Sequence, residues 1–280
     1  MSDAQLNQEH AKGALIYRQS RWTRLTHWFW AISLFFLLLS GLQIFNAHPK
    51  LYFGHQSGFE YDNAVLDIGA RQQGSAVVGY TRIFGTEFDT TGFLGAPRAS
   101  AVNPSYQAFP PALTIPSNRS LATGRIVHFL FAWILVGTLL IWAIASLING
   151  HLRRDLVITG TDLKNLPQDV KNHARLKFHH TREYNVLQKI AYASVLFVML
   201  PLMILTGLSM SPSFNATAPW LLDIFGGRQS ARTIHFITMM ALFGFFVIHM
   251  LMIVAAGPLN ELRSIITGWY RVDAAPGKDH

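Results

Sequence analysis

Ala231-Arg-Thr-Ile-His235-Phe-Ile-Thr-Met-Met-Ala-Leu-Phe-Gly244-Phe-Phe-Val-Ile-His249 is the stretch from which the rest of the chain is best read. After Arg232 it contains no charged side chain, yet it holds two histidines fourteen residues apart. At about 3.6 residues per turn, fourteen residues make almost four turns, so both rings project from nearly one face. At about 1.5 Å per residue they lie about 21 Å apart along the axis, one towards each side of a hydrocarbon layer about 30 Å thick. Ionisable residues inside a membrane span are costly to place there and mark function by default.

Three further apolar runs, 28–45, 126–148 and 190–208, join the one at 233–256, and none of the four contains Asp, Glu, Lys or Arg. The 280 residues are 50% hydrophobic and 14% charged, well short of the quarter or so charged in soluble domains. The pattern predicts an all-α integral membrane protein. Four transmembrane helices, at about 25–45, 121–148, 186–208 and 231–256, form one bundle and one domain over 1–280, with a long loop between the first two. Cysteine is absent, which excludes disulfides, thiolate zinc sites, iron–sulfur clusters and covalently attached haem. The polar, basic first 24 residues and the long apolar run behind them do not read as a cleavable signal.

A net charge of +8 is explained by membrane orientation without invoking nucleic acid. With the N-terminus inside, segments 1–24, 149–189 and 255–280 hold fifteen of the 23 Lys and Arg, which puts both termini in the cytoplasm. Residues 14–24 read as a basic, aromatic interfacial lead-in, and the tail after Trp269 as loose. Segment 46–120, on the outer side, carries Pro97, Pro104, Pro110, Pro111 and Pro116, which bar a long helix from its second half. Its ten Phe and Tyr residues exceed what a disordered linker carries, so it is expected to be an ordered periplasmic cap.

Four of the twelve histidines, His27, His128, His235 and His249, lie in or at the spans. Alternating helix directions place His27 level with His249 on the inner side, and His128 level with His235 on the outer side. Two histidines without further ligands make a poor zinc site, whereas they suit the two axial positions of a haem. Gly41, Gly137, Gly207 and Gly244 are expected to give the macrocycle room. Arg24, Arg125 and Arg232 each precede a candidate ligand by three residues, as propionate partners or as ordinary interfacial anchors. Helices two and four share this kit: Arg125, His128, Gly137 against Arg232, His235, Gly244. His10, His48, His55, His151, His173 and His280 read as solvated, and His179 and His180 as headgroup contacts with a minor option at a quinone.

Arg24-Leu-Thr-His27-Trp28, His128 and the His235/His249 pair resemble bacterial diheme cytochrome b subunits, those serving nickel–iron hydrogenases, membrane formate dehydrogenases and thiosulfate reductase-type enzymes. The resemblance spans roughly 25–45 and 120–270. It implies a membrane cytochrome b domain with two haem b groups, ligated by His27 with His249 and by His128 with His235. It also implies electron exchange between a quinone and a periplasmic redox enzyme subunit, in the bacterial inner membrane. Tyr184-Asn185-Val-Leu-Gln188-Lys189 is similar to a motif of that family associated with quinone, which makes Asn185 and Gln188 candidate quinone ligands; helix capping is the competing reading. The long first outer loop departs from the simplest members. Together with Leu-Pro201-Leu and Leu-Thr206-Gly207-Leu it looks closest to the thiosulfate reductase-like branch, whose partners are molybdopterin enzymes.

The resulting expectation is an electron-carrying subunit of an oxidoreductase complex rather than an independent enzyme. A stand-alone quinol oxidase is the alternative. A histidine-lined transporter is a weaker one, because the spans offer no carboxylate.

Overall fold

A backbone that enters lipid must satisfy its own hydrogen bonds, and the four apolar runs do so as helices. The computed structural model describes residues 13–58, 61–98, 105–150, 152, 157–175 and 185–272. Helices α1 (Arg21–Phe45) and α2 (Leu121–Ile148) are followed by α3 (Gly160–Ala174) and α4 (Val186–Met210). Two short helices, α5 (Pro212–Thr217) and α6 (Trp220–Ile224), lead to α7 (Arg228–Ala256) and α8 (Pro258–Thr267). α1, α2, α4 and α7 are each long and apolar enough to cross a membrane. Within α4, Val195–Met199 widens to a π-turn just before Pro201. A proline there removes an N–H and crowds the carbonyl four residues back, and the π-turn absorbs both.

The all-α expectation fails between α1 and α2. That segment carries strands β2 (Lys50–Leu51), β3 (Leu66–Gln73), β4 (Ala76–Ile83) and β5 (Thr86–Asp89), paired antiparallel in that order. A second pair, β6 (Gly95–Arg98) and β7 (Ser105–Gln107), follows. The prolines did exclude a long helix; the alternation of Leu66, Ile68 and Ala70 with Asp67, Gly69 and Arg71 is a strand pattern. Gly74, at φ +62, sits in the two-residue link that closes the β3–β4 hairpin.

The chain divides into two compact units. One comprises Trp30–Gly137 and Leu200–Ala241. In it, Leu51, Ile68 and Ala108 of the cap form a buried core with Phe45 at the end of α1, and Phe236 of α7 packs against it. Side chains on the helices tie down the cap backbone. Asn46 donates to and accepts from Phe109, at 3.2 and 2.8 Å. Gln43 donates to the Asn118 carbonyl at 2.5 Å, Thr233 donates to the Tyr52 carbonyl at 2.5 Å, and Ser230 Oγ accepts from Gly54 N at 2.7 Å.

The other unit comprises Met1–Phe29, Thr138–Met199 and Leu242–His280. Here the lead-in strand β1 (Leu15–Tyr17) pairs antiparallel with β8 (Trp269–Arg271). The segment after Trp269, expected to be loose, is therefore held at least to Arg271. The Arg18 guanidinium stacks 4.4 Å over the Tyr270 ring, and Arg271 donates to the Gly13 carbonyl at 2.9 Å. The amphipathic α3 is fastened to the start of α4: Asp162 pairs with the nearly buried Lys189 at 3.0 Å, and Asp169 accepts from Val186 N at 2.7 Å.

Candidate haem-binding histidine pairs

His128 on α2 and His235 on α7 face each other with ring centroids 6.4 Å apart and planes inclined at 58°. Each is fixed by a hydroxyl on a different helix. Ser40 Oγ on α1 lies 3.1 Å from His128 Nδ1, and Thr206 Oγ1 on α4 lies 2.9 Å from His235 Nδ1. Both hydroxyl hydrogens are already committed to the carbonyl four residues back, Ser40 to Phe36 at 2.6 Å and Thr206 to Leu202 at 2.6 Å. The hydroxyl oxygens therefore accept from Nδ1–H, and that tautomer leaves the Nε2 lone pair of each imidazole for a metal. Ser40 and Thr206 are both fully buried, so neither bond competes with bulk water.

This arrangement fits a bis-imidazole metal centre. A metal–nitrogen bond of about 2 Å on each side, with about 1.1 Å from nitrogen to ring centre, sets centroids about 6 Å apart. Among the described residues no group of three or more His, Asp or Glu side chains gathers as a conventional metal site would require. Two opposed imidazoles with no third ligand suit a metal whose remaining positions a porphyrin fills.

Two of the four glycines singled out from sequence take part. A Cβ on Gly41 would stand 3.4 Å from His128 Cε1, and one on Gly207 would stand 3.5 Å from His235 Cε1, so a larger residue at either place would push the ring. Gly137 and Gly244 differ: nine residues is two and a half turns, which turns them to the faces opposite His128 and His235. A Cβ at either would meet nothing within 4 Å among the described residues, so these two glycines do not touch the histidine rings. The serine and threonine were missed as site residues. Their signal was present, a small hydroxyl residue immediately before a glycine near the C-terminal end of both α1 and α4.

His27 and His249 both lie in the other unit. His249 stacks on Phe245 at 5.6 Å and meets the edge of Tyr192 at 6.5 Å. His27 Nδ1 is buried and finds no hydrogen-bond partner among the described residues, so the hydroxyl device of the first pair is not repeated on it there. Tyr192, on α4, was also not singled out from sequence.

The arginines divide. Arg24 Nη1 donates to the Ile266 carbonyl at 2.6 Å while its buried Nε finds no partner among the described residues. Arg125 is exposed, its guanidinium 5.7 Å from the Phe129 ring centre. Arg232 is committed to the cap, donating to the His48 carbonyl and lying 5.5 Å over Phe45. His48, expected to be solvated, is half-buried against Tyr52, its rings 5.7 Å apart. Burial first, then Arg232 and Lys50, holds its imidazole below the ordinary histidine range.

Asn185 and Gln188 close a capping box at the start of α4. Asn185 Oδ1 accepts from Gln188 N at 2.9 Å and Gln188 Oε1 accepts from Asn185 N at 3.3 Å. A quinone carbonyl accepts hydrogen bonds, so it would draw on the amide nitrogens rather than these oxygens. Tyr184, His179, His180, His10, His151 and His280 lie outside the described residues, as does the side chain of His173.

Apolar spanning helices with a close, hydroxyl-capped histidine pair between them define a membrane cytochrome of the b type. The chain belongs to the prokaryotic cytochrome b561 family, whose model matches residues 18–268. It is also similar to the putative protein-methionine-sulfoxide reductase subunit YedZ1 of Azospira oryzae, at 24% identity over 234 residues, covering 83% of this chain and 87% of that protein. No solved structure matches the chain.

Proposed function

We propose that this protein is the membrane subunit of a respiratory oxidoreductase, relaying electrons between the quinone pool and a periplasmic partner enzyme across the bacterial inner membrane. The observation that carries the reading is the 6.4 Å His128–His235 pair with both Nδ1 atoms engaged by hydroxyls. His128 and His235 would hold an outer haem b, and His27 and His249 an inner one; when bound, the haems supply reversible one-electron chemistry. The chain's own contribution is to set the tautomer of each outer ligand and to keep both pairs in an apolar surround. It also fixes their depths through the unbroken α7, which carries His235 and His249.

With both termini cytoplasmic, the inner pair lies towards the Asn185–Gln188 end of α4 and a quinone there. Tyr192 and the amide nitrogens would be the polar groups to meet it, and Arg24 and Arg125, with Arg232 where its bond to the cap allows, would be the cations offered to the propionates. The strand-built cap at 46–120 faces the periplasm and receives the partner. The name of the Azospira oryzae relative favours a partner of the methionine-sulfoxide reductase kind over a hydrogenase, and the sequence resemblance to the thiosulfate reductase-like branch favours one of molybdopterin type.

The test is a reduced-minus-oxidised optical spectrum with pyridine-haemochrome quantitation on the purified protein, His235→Ala and His249→Ala. The expected result is two b haems per chain, and one in each variant. A colourless wild-type protein would remove the relay altogether.

A further inference from the structure

We infer that the cap sheet is seated on the bilayer: its apolar face continues past the helix ends, and Ile83, Phe84 and Phe88 lie in the lipid headgroup region. The inference rests on the chain being a multi-pass membrane protein and is independent of the haem assignment.

Strand register sorts the side chains. Leu51 pairs with Leu66, Leu66 with Ile83, Ile68 with Thr81, and Thr81 with Phe88, so these six share one face of the sheet. The opposite face is charged and internally paired. Asp67 bonds Lys50 at 3.0 Å and Arg82 at 3.1 Å, while Glu87 bonds Arg71 at 2.6 Å. The sheet is thus amphipathic.

Its apolar face already has one established contact. Leu51 and Ile68 are buried against Phe45, the last residue of α1, in a core that Phe236 of α7 flanks. A face laid across the ends of membrane-crossing helices looks towards the bilayer. Where that face extends beyond the helices, lipid is what lies beneath it. Ile83 and Phe88 are the residues that extend it, 42% and 52% exposed, and Phe84 at the β4–β5 tip is 76% exposed. Phe84, at φ +46, and Gly85, at φ +83, form the two-residue link of the β4–β5 hairpin, whose turn requires positive φ at both places. Contiguous exposed aliphatic and aromatic groups backed by a charged face are what interfacial membrane binding requires. A water-soluble partner would meet the opposite, ion-paired face.

The chain has no cysteine, so single sites can be labelled without background. Nitroxide is attached to Ile83→Cys, Phe84→Cys, Phe88→Cys and, on the charged face, Glu87→Cys, in the full-length protein reconstituted in lipid nanodiscs. Power-saturation spectra then compare collisions with oxygen, which partitions into lipid, and with a water-soluble nickel chelate. Thermal unfolding of each labelled variant is matched to the parent, so that loss of fold is not read as exposure. The expected oxygen-to-chelate ratio is several-fold higher at 83, 84 and 88 than at 87. Equal, chelate-dominated access at all four sites overturns the inference and leaves that face free in water for a protein partner.

Discussion

Replacing Thr206 by valine keeps the shape of a fully buried side chain and removes the oxygen that accepts from His235 Nδ1. A neutral hydrogen bond contributes about 1 kcal/mol net, and a buried donor left without a partner costs about 1–3 kcal/mol. The part that matters for redox behaviour is the difference between oxidation states. Oxidised iron carries one more positive charge and polarises the ligand N–H more strongly, so the lost acceptor destabilises the oxidised form more. If about half of about 1.5 kcal/mol depends on that charge, the midpoint potential rises by about 30 mV, since a one-electron couple shifts 59 mV for about 1.4 kcal/mol. Ser40→Ala removes the equivalent acceptor from His128 Nδ1 and has the same sign. An optical redox titration of purified wild type and the two variants reads this directly. Both substitutions must move the same one of two waves, because both hydroxyls serve one histidine pair, and the other wave must stay. Shifts in different waves, or none, would refute both the pairing and the role of the hydroxyls.

Other outcomes follow from the same geometry. Gly207→Ile places branched carbons where a bare Cβ already stands 3.5 Å from His235 Cε1, and the variant should lose the outer haem while Gly207→Ala keeps it, as read by haemochrome stoichiometry. Hydrogen bonds from Thr159, backbone first and then side chain, hold the Asp162 carboxyl below its ordinary value, and Lys189 adds to this. A depressed carboxylate contributes stability that is present above its unfolded value of about 3.9 and is lost as pH falls through the lower folded value. Thermal unfolding of Asp162→Asn should therefore lack part of the wild type's acid sensitivity below about pH 4. Lys189→Met leaves Asp162 without its cation and should cost about 1–2 kcal/mol, measured by the same melts. Arg232→Gln removes the cation over Phe45 and the donor to the His48 carbonyl; limited proteolysis should then cut the cap between 46 and 120 faster than in the wild type.

The four long apolar helices, and the nearness of His128 to His235, were legible in the residues alone. The reason is that a helix converts residue number into height at a constant rate, so fourteen residues between His235 and His249 state a separation before any neighbour is known. The capping-box reading of Asn185 and Gln188 was equally local, since its donors and acceptors lie three residues apart. What the sequence left open depends on rotation and on partners distant along the chain. Ser40 meets His128 across 88 residues and Thr206 meets His235 across 29, and no periodicity announces which hydroxyl will face which ring. That Gly41 and Gly207 lie against the His128 and His235 rings likewise depends on how packed helices are turned towards one another. The cap shows the same division. Its prolines excluded a long helix, but the strands emerge only where Leu51, Ile68 and Ala108 find Phe45, because a short strand is held by the surface it covers rather than by its own propensity.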